Sequence, residues 1–302
     1  MTVFGHVLFP TDCSAYADAV MACLPELESA GLRQVVLLSV IRGSDVPMPE
    51  TLNRDSLDFW RWSLGEKLNV AKMALEGKGL HVQTRIEYGS PAREIVRVAE
   101  DERVDLIVMG AQGATAAQEL LLGSTAYEVI RHASVPVLLQ KFEVLRELGG
   151  VKCRKLCEHM FAQVLHPTDF SDCAMEAFQV VKRLKAAGTE RVTVLHVQDE
   201  RVMKQRPAEQ LAEFDRHDTE RLEAACNALR LFGLRATPLL MHGIPFVEAL
   251  RAAEEPGVGL IVLGSRGRSA IQEALTGSTL ENVVRSCRQP VLVVRQGPNR
   301  HG

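Results

Sequence analysis

The chain has 302 residues, a formal net charge of -3 at neutral pH, 46% hydrophobic residues and 24% charged residues. That length fits two domains, each able to bury its own core. The charge balance supplies no basic field to gather nucleic acid or coat an anionic membrane, and no apolar run reaches the roughly 18–20 residues of a membrane span. The first ten residues lack the basic start and small-residue cleavage site of a secretory signal. Seven cysteines, an odd number without framework spacing, are expected to stay reduced, so the expected compartment is the cytoplasm.

Along the first half, apolar runs at 3–9, 34–41, 81–87, 104–109 and 135–139 are rich in Val, Ile and Leu. Such runs read as strands buried on both faces. Between them, 15–30, 57–78, 92–102 and 125–133 read as helices. Pro91 and Pro245 stand where a helix can begin. Alternating β and α elements predict a parallel sheet covered by helices on both faces, five strands to each half.

The pattern then repeats. Val7-Leu8-Phe9-Pro10-Thr11-Asp12-Cys13-Ser14 returns as Val164-Leu165-His166-Pro167-Thr168-Asp169-Phe170-Ser171. Asp105-Leu106-Ile107-Val108-Met109-Gly110 returns as Gly259-Leu260-Ile261-Val262-Leu263-Gly264, and Pro136-Val137-Leu138 as Pro290-Val291-Leu292. The offset is 157 residues at Val7 and Val164 but 154 at Asp105 and Gly259, so the second copy is shorter in its middle. A period this long means duplicated domains rather than a solenoid. The expected division is 1–141 and 161–297, with 142–160 as a charged linker containing Gly149-Gly150.

Ligands of open α/β sheets sit beyond the C-terminal strand ends, near the switch in strand order. Three features fall there in each copy: Pro10-Thr11-Asp12 and Pro167-Thr168-Asp169 after strand one, Val40 and Val197 at the end of strand two, and a glycine-spaced loop after strand four. That loop reads Gly110-x2-Gly113-x9-Gly123-Ser124-Thr125, and again Gly264-x2-Gly267-x9-Gly277-Ser278-Thr279. Backbone N–H groups freed by glycine can converge on an anion, and a helix opening at Gly123 or Gly277 adds its dipole. Asp12 and Asp169 suit the sugar end, where a carboxylate accepts from ribose hydroxyls. No Gly-Lys-Ser/Thr follows the glycines and no GxGxxG follows strand one, so neither a Walker loop nor a dinucleotide fingerprint is present.

These motifs resemble the universal stress protein family in its tandem form, over roughly 2–140 and 161–296. The resemblance implies two doubly wound five-stranded parallel-sheet domains of strand order 3-2-1-4-5, like the adenine nucleotide α-hydrolases. It implies adenine and ribose near Asp12 and Val40, and phosphates on the loop from Gly110 to Thr125. The second site would use Pro167, Thr168, Asp169, Val197, Gly264, Gly267, Gly277, Ser278 and Thr279. The implied ligand is ATP, with ADP and AMP left open, together with Mg²⁺.

Arg266 and Arg268 lie on the second loop, whereas no Lys or Arg falls between Asp105 and Tyr127. Arginine pairs with phosphate oxygens, so the second site is expected to hold ATP more tightly and the first to prefer a less charged ligand. No catalytic residue is assigned: Ser14 and Ser171 have no histidine at a diagnostic spacing, and no base stands ready to activate water. The expected role is an adenine-nucleotide-binding stress-response regulator with at most slow ATP hydrolysis. An adenylate-forming or pyrophosphate-releasing enzyme of the same fold group and a scaffold with structural nucleotide are the alternatives. The last strands, 135–140 and 290–296, resemble those through which single-domain relatives dimerise. A pseudo-dimer within the chain, a homodimer and an unidentified signalling partner follow as expectations.

Three smaller groups complete the reading. Cys153, Cys157 and His159 are thiolate and imidazole ligands short of a four-ligand zinc site; an ordinary linker is preferred. Cys13 and Cys173, both just beyond the aspartates, are taken as matching small buried residues, with a redox-sensing thiol as the other reading. Trp60, Trp62 and Phe59 are expected to pack on a helix, with covering of the cleft or part of a partner surface as the other readings.

Overall fold

The computed structural model describes residues 2–43, 54–111, 122–147, 150–155, 159–203, 207–265 and 278–295. The chain divides into two compact units, Met1–Lys155 and Leu156–Gly302. In the first, β1 (His6–Pro10), α1 (Ala15–Met21), β2 (Gln34–Ile41), α2 (Arg54–Glu76), β3 (His81–Tyr88), α3 (Pro91–Asp101), β4 (Leu106–Gly110), α4 (Ser124–His132) and β5 (Val137–Gln140) follow in order. Two further strands, β6 (Phe142–Glu147) and β7 (Gly150–Lys155), pair antiparallel within the joining segment. In the second unit come β8 (Gln163–Pro167), α5 (Asp172–Arg183), β9 (Arg191–Asp199), α6 (Glu200–Met203), α7 (Ala208–Leu231), β10 (Arg235–Gly243), α8 (Pro245–Ala253), β11 (Leu260–Gly264), α9 (Ser278–Ser286) and β12 (Val291–Val294).

Both units have the expected parallel topology. The first runs β3-β2-β1-β4-β5 and the second β10-β9-β8-β11-β12. The inner strands are apolar on both faces because helices cover both: β4 and β11 each bury four consecutive residues.

Three of the departures from the expected boundaries have a local reason. The stretch 15–30 is not one helix; α1 stops at Met21 and a 3-10 helix covers Leu24–Glu28. Pro25 has no N–H to continue an α-helical ladder. Strand one starts at His6 instead of at residue 3, because the Val3 and Phe4 N–H groups both donate to Ala30 O. Strand five begins at Val137, beyond Pro136.

Corresponding joints are built alike. Ser14 and Ser171 cap α1 and α5, their hydroxyls accepting from Ala17 N (3.3 Å) and Ala174 N (3.4 Å). Removing the cap with Ser171→Ala is expected to lower the stability of the second half by about 1 kcal/mol. Urea unfolding measures it; no change would mean the hydroxyl contributes nothing beyond what water supplies.

The crevice opens where strand one parts from strand four. Pairing of β1 with β4 ends at Leu8↔Ile107, and pairing of β8 with β11 ends at Leu165↔Ile261. On its other side β1 stays paired with β2 as far as Pro10↔Leu38. In the second half, buried His166 bridges the widening gap through an Nδ1–H donated to Val262 O at 3.0 Å.

Candidate functional site

In the first half this crevice is a cavity of about 580 Å³. Pro10, Thr11, Asp12, Val40, Gly110, Gly123, Ser124 and Thr125 all line it. Of the first-half residues expected at the site, only Gly113 lies outside the described residues.

The loop after β1 is stitched by its own side chains. Thr11 Oγ1 accepts from Cys13 N and Asp12 Oδ1 from Ser14 N, both at 3.0 Å. These two bonds hold Cys13 at φ 55°, a left-handed conformation rare for a residue with a Cβ. The same pair recurs from Thr168 to Phe170 N and from Asp169 to Ser171 N, with Phe170 at φ 58°. Phe170 is therefore the counterpart of Cys13. The match of Cys13 with Cys173 is corrected: Cys173 sits on α5 and is buried, whereas Cys13 is partly exposed. Burial pushes the Cys13 thiol pKa up, against a smaller lowering by Lys67.

Val40 offers main-chain atoms to the crevice. Thr11 N donates to Leu38 O, the last bond from strand one to strand two. The two-residue period of a strand turns the Val40 N–H and C=O to that same side, beyond the end of β1. At the opposite wall, Gly123 begins α4 without a side-chain cap. Tyr127 N is the first to donate within the helix, to Gly123 O, which leaves the N–H groups of Ser124, Thr125 and Ala126 at the open end. All three residues line the cavity.

The third wall was read from the sequence only in part: covering of the cleft was the second reading for Trp60, and Leu64, Lys67 and Arg42 were not singled out. Trp60, Leu64 and Lys67 share one face of α2 and line the cavity, and Arg42 does so just beyond β2. The first site thus borders two cations, although its loop has none. They were missed because they come from elements far from the glycine loop. Trp60 faces the cavity, while Phe59 and Trp62 are more than 60% exposed and contact each other at 6.2 Å.

In the second half, Pro167, Thr168 and Asp169 occupy the same loop and Val197 the same place on β9. Gly264 ends β11, and Thr279 lies in the first turn of α9, which begins at Ser278. Gly264 also serves packing. A Cβ there would lie 2.7 Å from the Cys173 carbonyl carbon and 2.9 Å from Ala174 N, so its bare α-carbon lets α5 approach the sheet. Arg266, Gly267, Arg268 and Gly277 lie outside the described residues, as does Cys157 of the candidate metal group. Among the described residues no cluster of three metal-ligating side chains occurs, and no helix is long and apolar enough to cross a membrane.

The profile of the universal stress protein family matches residues 4–141 and again 160–295. The chain belongs to the universal stress protein family. Universal stress protein MJ0577 of Methanocaldococcus jannaschii is 34% identical over 156 residues, an alignment covering 45% of this chain and 96% of that protein. Universal stress protein YxiE of Bacillus subtilis is 30% identical over 148 residues, covering 45% of this chain and all of YxiE. Both relatives correspond in length to one half. A universal stress protein from Archaeoglobus fulgidus matches end to end, with a TM-score of 0.73, 24% identity and coverage of 98% of this chain and 97% of that one. The tandem arrangement of the universal stress protein fold thus has a solved counterpart.

Proposed function

We propose that this universal stress protein is a regulator that binds an adenine nucleotide in the first-half crevice. The observation that carries the reading is the convergence of three dissimilar groups on one cavity: the Asp12 carboxylate, the main-chain edge of Val40 and the uncapped start of α4. They match the three parts of a nucleotide. A main-chain N–H and C=O can read the edge of a base, a carboxylate accepts from ribose hydroxyls, and helix N–H groups hold phosphate. Apolar Leu64 and Trp60 suit the faces of the base. The volume lies within the range of small-molecule sites, about 300–1,000 Å³.

Lys67 and Arg42 extend the positive field at the cavity wall, which favours a phosphorylated ligand over a free nucleoside. Mg²⁺ would be held through phosphate oxygens, since magnesium usually needs few protein ligands. Among the described residues that line the cavity the one carboxylate is Asp12, assigned here to the ribose, so the role proposed is binding, with hydrolysis at most slow. Regulation then follows if the nucleotide prefers one conformation or assembly of the chain over another.

Denaturing freshly purified protein and identifying released nucleotide by chromatography tests this directly. Adenine nucleotide in the supernatant supports the reading. If none is released, thermal shifts with ATP, ADP and AMP decide. At a hundredfold excess over Kd, a ligand bound only by the folded state stabilises it by about 2.7 kcal/mol; no shift with any of them sinks the proposal. Asp12→Asn keeps an oxygen for Ser14 N but loses the charge, and is expected to weaken binding by about tenfold, as for a hydrogen bond to a charged group. Titration calorimetry of the variant measures it, and unchanged affinity would remove Asp12 from the ribose role.

A further inference from the structure

The two crevices are built on the same frame, so their walls can be compared position by position. Val35 pairs with Val7 and Val192 with Val164, which aligns Ser39 with His196. Val35 also pairs with Val82 and Val192 with Ala236, which sets the 154-residue offset; buried Leu68 and Leu222, then Leu75 and Leu229, continue it back along α2 and α7. Leu64 therefore corresponds to Asp218 and Lys67 to Arg221. In the first half, Ser39, Leu64 and Lys67 line open space. In the second half, His196 and Asp218 contact each other, and Arg221 packs on Phe170, the counterpart of Cys13.

The Arg221 guanidinium carbon sits 3.9 Å above the Phe170 ring, whose centroid lies 5.0 Å from that of His196. His196 Nδ1–H donates to Thr168 O at 2.7 Å, and its Nε2 lies 3.4 Å from Asp218 Oδ2. Buried Gln198 donates to that same carboxylate oxygen at 3.0 Å. The stack runs from α7 through the loop after β8 to β9, across the mouth that is open in the first half. Exposure follows: Asp12 is exposed and Thr11 partly so, but Asp169 is only partly exposed and Thr168 is buried at 8%.

We infer that the chain takes up nucleotide in its first half alone, the base end of the second crevice being filled by Phe170, His196 and Arg221. This rests on the reading of the first cavity given above. It turns round the expectation drawn from Arg266 and Arg268: phosphate-binding cations add little where the base has no seat. Introducing a base there would require breaking the His196–Thr168 bond and the Arg221–Phe170 stack together.

The test uses the full chain. Equilibrium dialysis with ATP is expected to give one nucleotide per chain, and photolabelling with 8-azido-ATP followed by peptide mapping is expected to mark first-half peptides only. Two nucleotides per chain, or label on second-half peptides, would overturn the inference while leaving the nucleotide-binding reading intact. No binding at all would overturn both. The triple substitution Phe170→Ala, His196→Ser and Asp218→Leu, which restores a small or apolar wall, is expected to raise the count to two. If that variant folds, as circular dichroism will show, and still binds one, filling is not what closes the second crevice. If it does not fold, the label map of the unaltered chain decides.

Discussion

Replacing Gly264 by alanine is expected to destabilise the second half by about 3 kcal/mol, at the upper end of what overpacking usually costs. The added Cβ would meet Cys173 C at 2.7 Å, Cys173 O at 2.8 Å and Ala174 N at 2.9 Å. All three are backbone atoms in the first turn of α5, so no flexible side-chain tip can swing aside. Either β11 or the whole start of α5 must move, and that start carries the Ser171 cap. Relief by a small shift would show as a loss within about 0.5 kcal/mol, the size of an ordinary surface substitution, and would refute the close-packing account. The two halves can be followed separately. Trp60 and Trp62 are the only tryptophans and both lie in the first half, so fluorescence reports that half while far-ultraviolet circular dichroism reports both. The expected result is an early dichroism transition with the fluorescence transition unmoved.

The second large effect is on pH dependence. Burial lowers the His166 pKa from 6.5 to about 4, against a smaller opposing effect of its bond to Val262 O. In the unfolded chain the imidazole takes up a proton near pH 6.5, whereas in the folded protein it stays neutral down to about pH 4. Between those values the unfolded state holds more protons, so folding stability falls as pH falls. The loss is about 1.4 kcal/mol per pH unit, or about 3 kcal/mol over the window, and it levels off once the folded form also protonates. His166→Phe, which copies Phe9 at the equivalent place in the first half, removes this slope. At pH 7 it costs about 1 kcal/mol, because Val262 O loses its donor. Urea unfolding of the second half between pH 7 and pH 4 distinguishes the two chains. Parallel stability curves would mean that His166 is not held neutral in the folded state.

Much of this protein could be read before its structure, because the signals are local. The apolar runs became strands, and β2 matches its expected span of 34–41. The duplicated Pro-Thr-Asp turns formed as paired side-chain bonds to backbone two residues on, a contact that depends only on neighbours. Gly123-Ser124 opened a helix, as a cap without a side chain followed by a good start should. The linker reading missed the β6–β7 hairpin: Phe142-Glu143-Val144 and Val151-Lys152-Cys153-Arg154 do alternate apolar and polar, but the runs are short and highly charged, and Gly149-Gly150 between them was taken as linker composition.

What was not legible is everything that depends on two distant segments meeting. Lys67 and Arg42 gave the first crevice cations that its own loop lacks. His196 is unremarkable along β9, and Asp218 lies midway along a long polar helix; only the fold brings them within 3.4 Å. Gly264 was read for a ligand's approach; that its missing side chain also accommodates the turn of α5 packed on it could be seen only in the fold.

The amino-acid sequence by itself determined the duplication, the alternation of strand and helix, the turns after each first strand and the family, because each rests on periodicity or on contacts within a few residues. The sequence also made the two loops unequal, but the tertiary structure alone decided how the crevice walls differ, since wall residues separated by more than twenty positions acquire a common environment only when the sheet and its helices pack. Side chains alike in sequence context then face open space in one half and each other in the other.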